Sequence, residues 1–136
     1  MKDWQLYSLL TLVFWGLWAF LPRFAVGYIQ PRSLTMYQAV GIMLATIVIL
    51  SLTPGKPETH PMGIFIGIVS GALGILGSYF YNIAMRKGQA SIVLTMTALY
   101  PIVTLILIFL FFREMISLKQ GIGIVMALVA MTLIAS

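Results

Sequence analysis

Residues 61–85 read PMGIFIGIVSGALGILGSYFYNIAM, without one charged side chain. A helix of about 20 apolar residues crosses the roughly 30 Å hydrocarbon core of a bilayer, and this stretch is long enough to do so. Pro61 suits the first helical position, where an N–H has no intrahelical partner. The break before it carries Lys56, Glu58 and His60. Gly63, Gly67, Gly71, Gly74 and Gly77 recur at spacings of three and four, with Ser70, Ala72 and Ser78 among them. Such a face lets a second backbone approach closely, so that van der Waals packing replaces the missing hydrophobic drive. Helix packing is its first reading, and a cavity wall or sliding contact its second.

Four more apolar segments flank this one: about Trp4–Tyr28, Leu34–Leu52, Ala90–Phe112 and Leu118–Ile134. Ser117 with Gln120 three residues on reads as a capping box opening the last. The connections are short, which makes successive helices antiparallel neighbours. Mean hydropathy is +1.06, with 61% hydrophobic and 8% charged residues. Soluble domains carry roughly a quarter charged residues, and no polar-faced segment exists here to cover buried helices. The expected fold class is all-α: a polytopic membrane protein with five transmembrane helices in one domain, residues 1–136. No cleaved signal peptide is expected, because the first apolar run is long, lacks a small-x-small site and is followed by four more.

Cysteine is absent, which removes disulfides, thiolate metal sites and cysteine nucleophiles together. His60 and Glu58 do not make a metal site, and neither a phosphate loop nor paired catalytic carboxylates is present. No enzyme, metal or cofactor is expected. The net charge of +5 is scattered over membrane-edge loops, so anionic headgroups and not nucleic acid are the expected partners. With five crossings, one side holds Lys2, Lys56, Arg113 and Lys119, and the other Arg23, Arg32, Arg86 and Lys87. Orientation follows the Lys/Arg imbalance of short loops. Four against four gives no strong instruction, which points to insertion both ways and pairing with an inverted copy. The acids all lie on the Lys2 side, but they contribute little to topology.

Candidate binding groups are few. Arg23 stands inside the first segment if the helix continues to Tyr28. A snorkelled arginine and a charge facing an internal cavity are both open there. Pro22 beside it frees a carbonyl one turn earlier. Trp15, Gly16, Ala19, Phe20 and Arg23 share one broad helical face, while Trp4 and Tyr28 suit interfacial belts. Tyr79 and Asn82 close the third segment; Asn82 is hard to place against lipid and calls for a neighbouring helix or a solute. In the fourth segment Pro101 predicts a bend where the Thr97 carbonyl loses its partner. Thr97 and Tyr100 are its polar cavity candidates, with local repair of freed backbone groups as the alternative for the threonines. No Asp, Glu or His lies inside any segment, so a proton cycle lacks its obvious carrier.

Three stretches in register resemble the EamA domain of the drug/metabolite transporter superfamily. They are Phe14-Trp15-Gly16 through Phe20 to Ile29-Gln30-Pro31; Ala90-Ser91-Ile92-Val93 through Leu99-Tyr100-Pro101-Ile102; and Phe111-Phe112-Arg113-Glu114-Met115-Ile116-Ser117-Leu118-Lys119-Gln120-Gly121. The resemblance covers nearly the whole chain. It implies two five-helix domains in inverted orientation, ten helices around a cavity walled by the first, third and fourth helices of each half. Trp15, Arg23, Tyr79, Asn82, Thr97 and Tyr100 then become substrate-binding candidates, and Glu114 a structural acid. This chain carries one half, so a dimer of five-helix bundles is implied, with a second antiparallel copy or a paired homologue completing the cavity.

The expected function is secondary transport of a small polar or amphipathic metabolite, or of a lipid-linked carrier, in the plasma or inner membrane. The competing expectation is a non-transporting membrane partner or assembly subunit that docks through its small-residue helix faces.

Overall fold

A computed structural model of the chain describes residues 3–113 and 117–135. Lys2 and Glu114 lie outside the described residues, as does the side chain of Gln120 in the expected capping box. Among the described residues there are seven helices: α1 Asp3–Phe20, α2 Pro22–Ala25, α3 Pro31–Leu52, α4 Pro61–Lys87, α5 Ala90–Thr97, α6 Tyr100–Phe112 and α7 Leu118–Ala135. Among the described residues there is no strand. Of the described residues, four stretches are long and apolar enough to cross a membrane: Asp3–Ala25, Pro31–Leu52, Pro61–Lys87 and Ala90–Phe112. The last helix, α7, holds the shorter apolar run Gly121–Ala130. The chain is therefore an all-α, polytopic membrane protein of bundle-forming helices.

Proline places most of these boundaries. Pro31 and Pro61 open α3 and α4, Pro22 opens α2, and Pro101 is second in α6. Each sits where its missing N–H costs nothing to the ladder. Inside the first span the backbone adapts around Pro22. Leu21 N–H donates to the Leu17 carbonyl at 3.2 Å, and Phe24 and Ala25 both donate to Leu21, at 3.1 and 3.3 Å. The helix ends at Ala25, before Tyr28, so Arg23 sits in its last turn and not more than a turn inside. Tyr28 follows the span and is 90% exposed, as an interfacial residue should be.

The fourth segment bends where proline predicts. Thr97 ends α5, and Ala98 and Leu99 separate it from α6. The Thr97 hydroxyl donates back to the carbonyls of Val93 and Leu94, at 2.9 and 3.0 Å. The carbonyl that Pro101 leaves without a donor is that of Thr97 itself, so this hydroxyl does not mend the break. Arg113 closes α6 in the left-handed region at φ 52°. The turn after α3 needs Gly55, whose φ of 141° disfavours any side chain.

By its contacts the chain divides into two compact units, Met1–Lys87 and Gly88–Ser136. In the first, α2 and α3 both pack against α4, and α1 against α2; in the second, α5 packs against α7. The buried residues of the first unit gather where α2 and the start of α3 meet the end of α4: Pro22, Val26, Leu34, Ser78, Tyr81, Asn82 and Met85. The glycine face of α4 behaves otherwise. A Cβ added at Gly67, Gly71, Gly74 or Gly77 would meet no atom within 4 Å. Packing inside the first unit does not use that face.

Because Gly71 has open space and alanine outranks glycine in a helix by up to about 1 kcal/mol, Gly71→Ala is expected to hold or raise the melting temperature of the detergent-solubilised protein. A drop of several degrees in thermal unfolding would show that the face is occupied.

Candidate functional site

Lipid offers no hydrogen bonds, so each polar group in a span must find its partner within the protein. Most hydroxyls solve this locally: Ser8, Thr11, Thr46, Ser51, Ser78 and Thr95 each donate to the carbonyl four residues back. These side chains are committed to their own helix. Side chains that reach other helices cluster at the end of α4, where Tyr81 bonds α1 and Asn82 bonds α3.

Asn82 is 0% exposed. Its amide nitrogen donates to Thr35 Oγ1 at 3.0 Å and to Gln38 Oε1 at 2.8 Å. Thr35 itself donates to the Pro31 carbonyl at 2.9 Å, so its hydroxyl gives and accepts at once. Thr35 and Gln38 lie three residues apart on one face of α3. Asn82 Oδ1, by contrast, is buried with no partner among the described residues. An acceptor in that state costs about 1–3 kcal/mol until a donor arrives.

Tyr81 looks the other way, toward α1. Its hydroxyl donates to the Ala19 carbonyl at 2.6 Å. In an unbroken helix that carbonyl would take the Arg23 N–H, so Tyr81 mends the backbone beside Pro22. Its ring stacks on Trp18, with centroids 5.7 Å apart and planes at 21°. An offset aromatic pair of this kind contributes about 0.5–1.5 kcal/mol beyond its burial. One residue on in the chain, Arg23 Nη1 donates to the Met85 carbonyl at 3.0 Å. Met85 belongs to the last turn of α4, whose carbonyls have no intrahelical donor, so Arg23 caps that helix end. The remaining guanidinium donors stay available. Arg86 in turn donates to Gln30 Oε1 at the entry to α3.

Of the residues singled out by sequence, Arg23 and Asn82 fall in this knot, and Tyr79 stands beside it on α4, partly exposed. Trp15 lies on α1 before the knot and is 57% exposed; Trp18 takes the aromatic role there. Thr97 and Tyr100 belong to the second unit, on either side of its helix break. The sequence alone does not single out Gln30, Thr35, Gln38, Trp18 or Tyr81. A signal for two of them existed. Thr35 and Gln38 sit near the start of one span and Asn82 near the end of the next, so antiparallel neighbours place them at one depth.

Tyr81→Phe is expected to lower stability by about 1 kcal/mol, the net value of one hydrogen bond, because the stack on Trp18 survives. Asn82→Ala should cost about 0.6–2 kcal/mol, the range for interhelical bonds in membranes. Thermal unfolding in detergent checks both, and a neutral Asn82→Ala would show that the amide contacts carry no energy.

Comparison with known proteins agrees with this architecture. A model described as the EamA-like transporter family matches residues 3–136. An uncharacterized protein of Methanocaldococcus jannaschii is 30% identical over 133 residues, which cover 94% of this chain and 93% of that protein. A protein of Archaeoglobus fulgidus described as an uncharacterized transporter is 28% identical over 140 residues, covering 99% of this chain and 48% of its own length. The chain thus spans about half of that relative. No solved structure matches it.

Proposed function

The chain belongs to the EamA-like transporter family, and we propose that it is one five-helix half, residues 1–136, of a secondary transporter completed by a second subunit. Membership places it with transporters and not enzymes. The observation that carries the two-subunit reading is a difference in length. One relative matches this chain end to end at nearly equal length, while the other contains the matching region within a chain about twice as long. The same module therefore occurs both inside a longer protein and by itself. Two modules make a two-sided cavity, and a single one needs a partner of its own kind.

An antiparallel homodimer of ten helices in the cell membrane suits the even division of Lys and Arg. A paired homologue is the alternative second subunit. The solute proposed is a small polar or amphipathic metabolite. Asn82 Oδ1, buried without a donor, is the group awaiting a solute N–H or O–H, with Arg23 at the same level for a carboxylate or phosphate. Trp15 and Tyr79 are the other candidates of this unit, and Thr97 and Tyr100 are candidates of the second unit, proposed separately. The open glycine face of α4 favours a second reading, a non-transporting assembly subunit. Purification as a stable hetero-complex, with no solute uptake by either form, would support that reading instead.

The native chain has no cysteine, so a single one added at either terminus reports topology cleanly. With a membrane-impermeant maleimide on intact cells, each terminus is expected to be labelled on part of the population. Labelling of only one terminus defeats dual insertion. In proteoliposomes screened for counterflow of small polar metabolites, Asn82→Ala is expected to reduce exchange while the dimer survives size-exclusion chromatography. Unchanged exchange would remove Asn82 from the transport site.

A further inference from the structure

Beside the knot, between the start of α3 and the end of α4, lies a cleft of about 330 Å³ lined by Gln30, Arg32, Tyr79, Ile83, Arg86 and Lys87. Three of these are cations and none is an acid. The described acids of this unit are each a full span away. Asp3 begins α1, and Glu58 precedes α4, a helix about 40 Å long at 1.5 Å per residue. Arg86 donates to Gln30. Among the described residues the side chains of Arg32 and Lys87 have neither hydrogen bond nor ion pair.

Helix electrostatics account for two of the three charges. Arg86 and Lys87 stand in the last turn of α4, where the carbonyl end of the helix dipole favours cations. Arg32 is the exception. It sits in the first turn of α3, where the dipole disfavours a positive charge, and it does so against two other cations. Sequence places these residues at a membrane edge, but charge balance alone would not bring Arg32 to this corner. An anion in the cleft removes the conflict. It would meet the free N–H groups of α3, the guanidinium of Arg32 and the ammonium of Lys87 together.

We propose that this cleft binds a phosphate group at the membrane edge, carried as a phosphomonoester or phosphodiester. Arg32 and Lys87 supply the charge, with Tyr79 and the remaining Arg86 donors alongside. Ligand sites generally start at about 300 Å³, so the cleft takes a headgroup-sized anion and not a large solute. Anion binding here stands apart from solute transport: basic pockets between membrane helices hold lipid headgroups whether or not a protein transports.

The test uses the purified full-length chain in neutral detergent, where membrane orientation has no influence. Phosphatidylglycerol is titrated against phosphatidylcholine and bound lipid is read by native mass spectrometry. Phosphatidylglycerol is expected to bind more tightly, and Arg32→Gln/Lys87→Gln to weaken it about tenfold or more, the equivalent of one charge-assisted contact. Both side chains are exposed and unbonded, so the variant should fold. Arg32→Lys should recover part of the affinity. Lys56→Gln/Lys119→Gln, with the same change in net charge elsewhere, should leave it unaltered. Displacement of the lipid by inorganic phosphate would identify a soluble phosphate as a ligand, and failure to displace would identify the lipid; each supports the site. Equal binding of the two lipids, or equal losses in the two double variants, overturns it.

Discussion

A polar group inside a lipid bilayer has no water to fall back on, and the arrangement at the end of α4 follows from that constraint. The penalty acts on backbone and side chain alike. Pro22 disturbs the ladder of the first span, and the Tyr81 hydroxyl supplies a donor to the Ala19 carbonyl. The last carbonyls of α4 need donors, and Arg23 reaches Met85. Asn82 needs acceptors, and Thr35 and Gln38 of α3 provide them. These bonds tie three spans together by directional contacts, where hydrophobic attraction between helices gives little.

The same constraint separates structural polar groups from functional ones. A hydroxyl that bonds back to its own helix has spent its donor and can only accept; Thr97 is the clearest case, with two carbonyls as its partners. Asn82 differs because its oxygen is buried and has no partner. Arg23 serves two ends, since one guanidinium nitrogen caps α4 while other donors remain. Under the proposed function, a residue that holds a helix end and also meets a solute would couple helix position to occupancy, the physical requirement for a site that opens alternately to two sides.

Much of the fold was legible because proline and hydropathy are local signals. Pro31, Pro61 and Pro101 marked their helix starts and break within a residue or two, and the apolar runs delimited the spans. Arg23 was less legible. Its depth depended on where the first helix stopped, and the turn at Val26 and Gly27 decides that. The glycine face of α4 was legible as a contact surface, but not whose: no neighbour within its own unit fills it. Trp18 and Trp15 were indistinguishable by type, and only the position of Tyr81 chose between them.

Sequence by itself determined that the chain is a helical membrane protein, where most of its helices begin, and that its positive charges divide evenly between the two ends of the apolar runs. Those properties depend on composition and on neighbours a turn apart. Tertiary structure decided which polar groups are spent and which remain. It paired Asn82 with Thr35 and Gln38, gave Arg23 to Met85, and gathered Arg32, Arg86 and Lys87 around one cleft. Hydrogen bonds and charge contacts act over about 3–4 Å, and residues some fifty positions apart reach that distance only when the spans are packed.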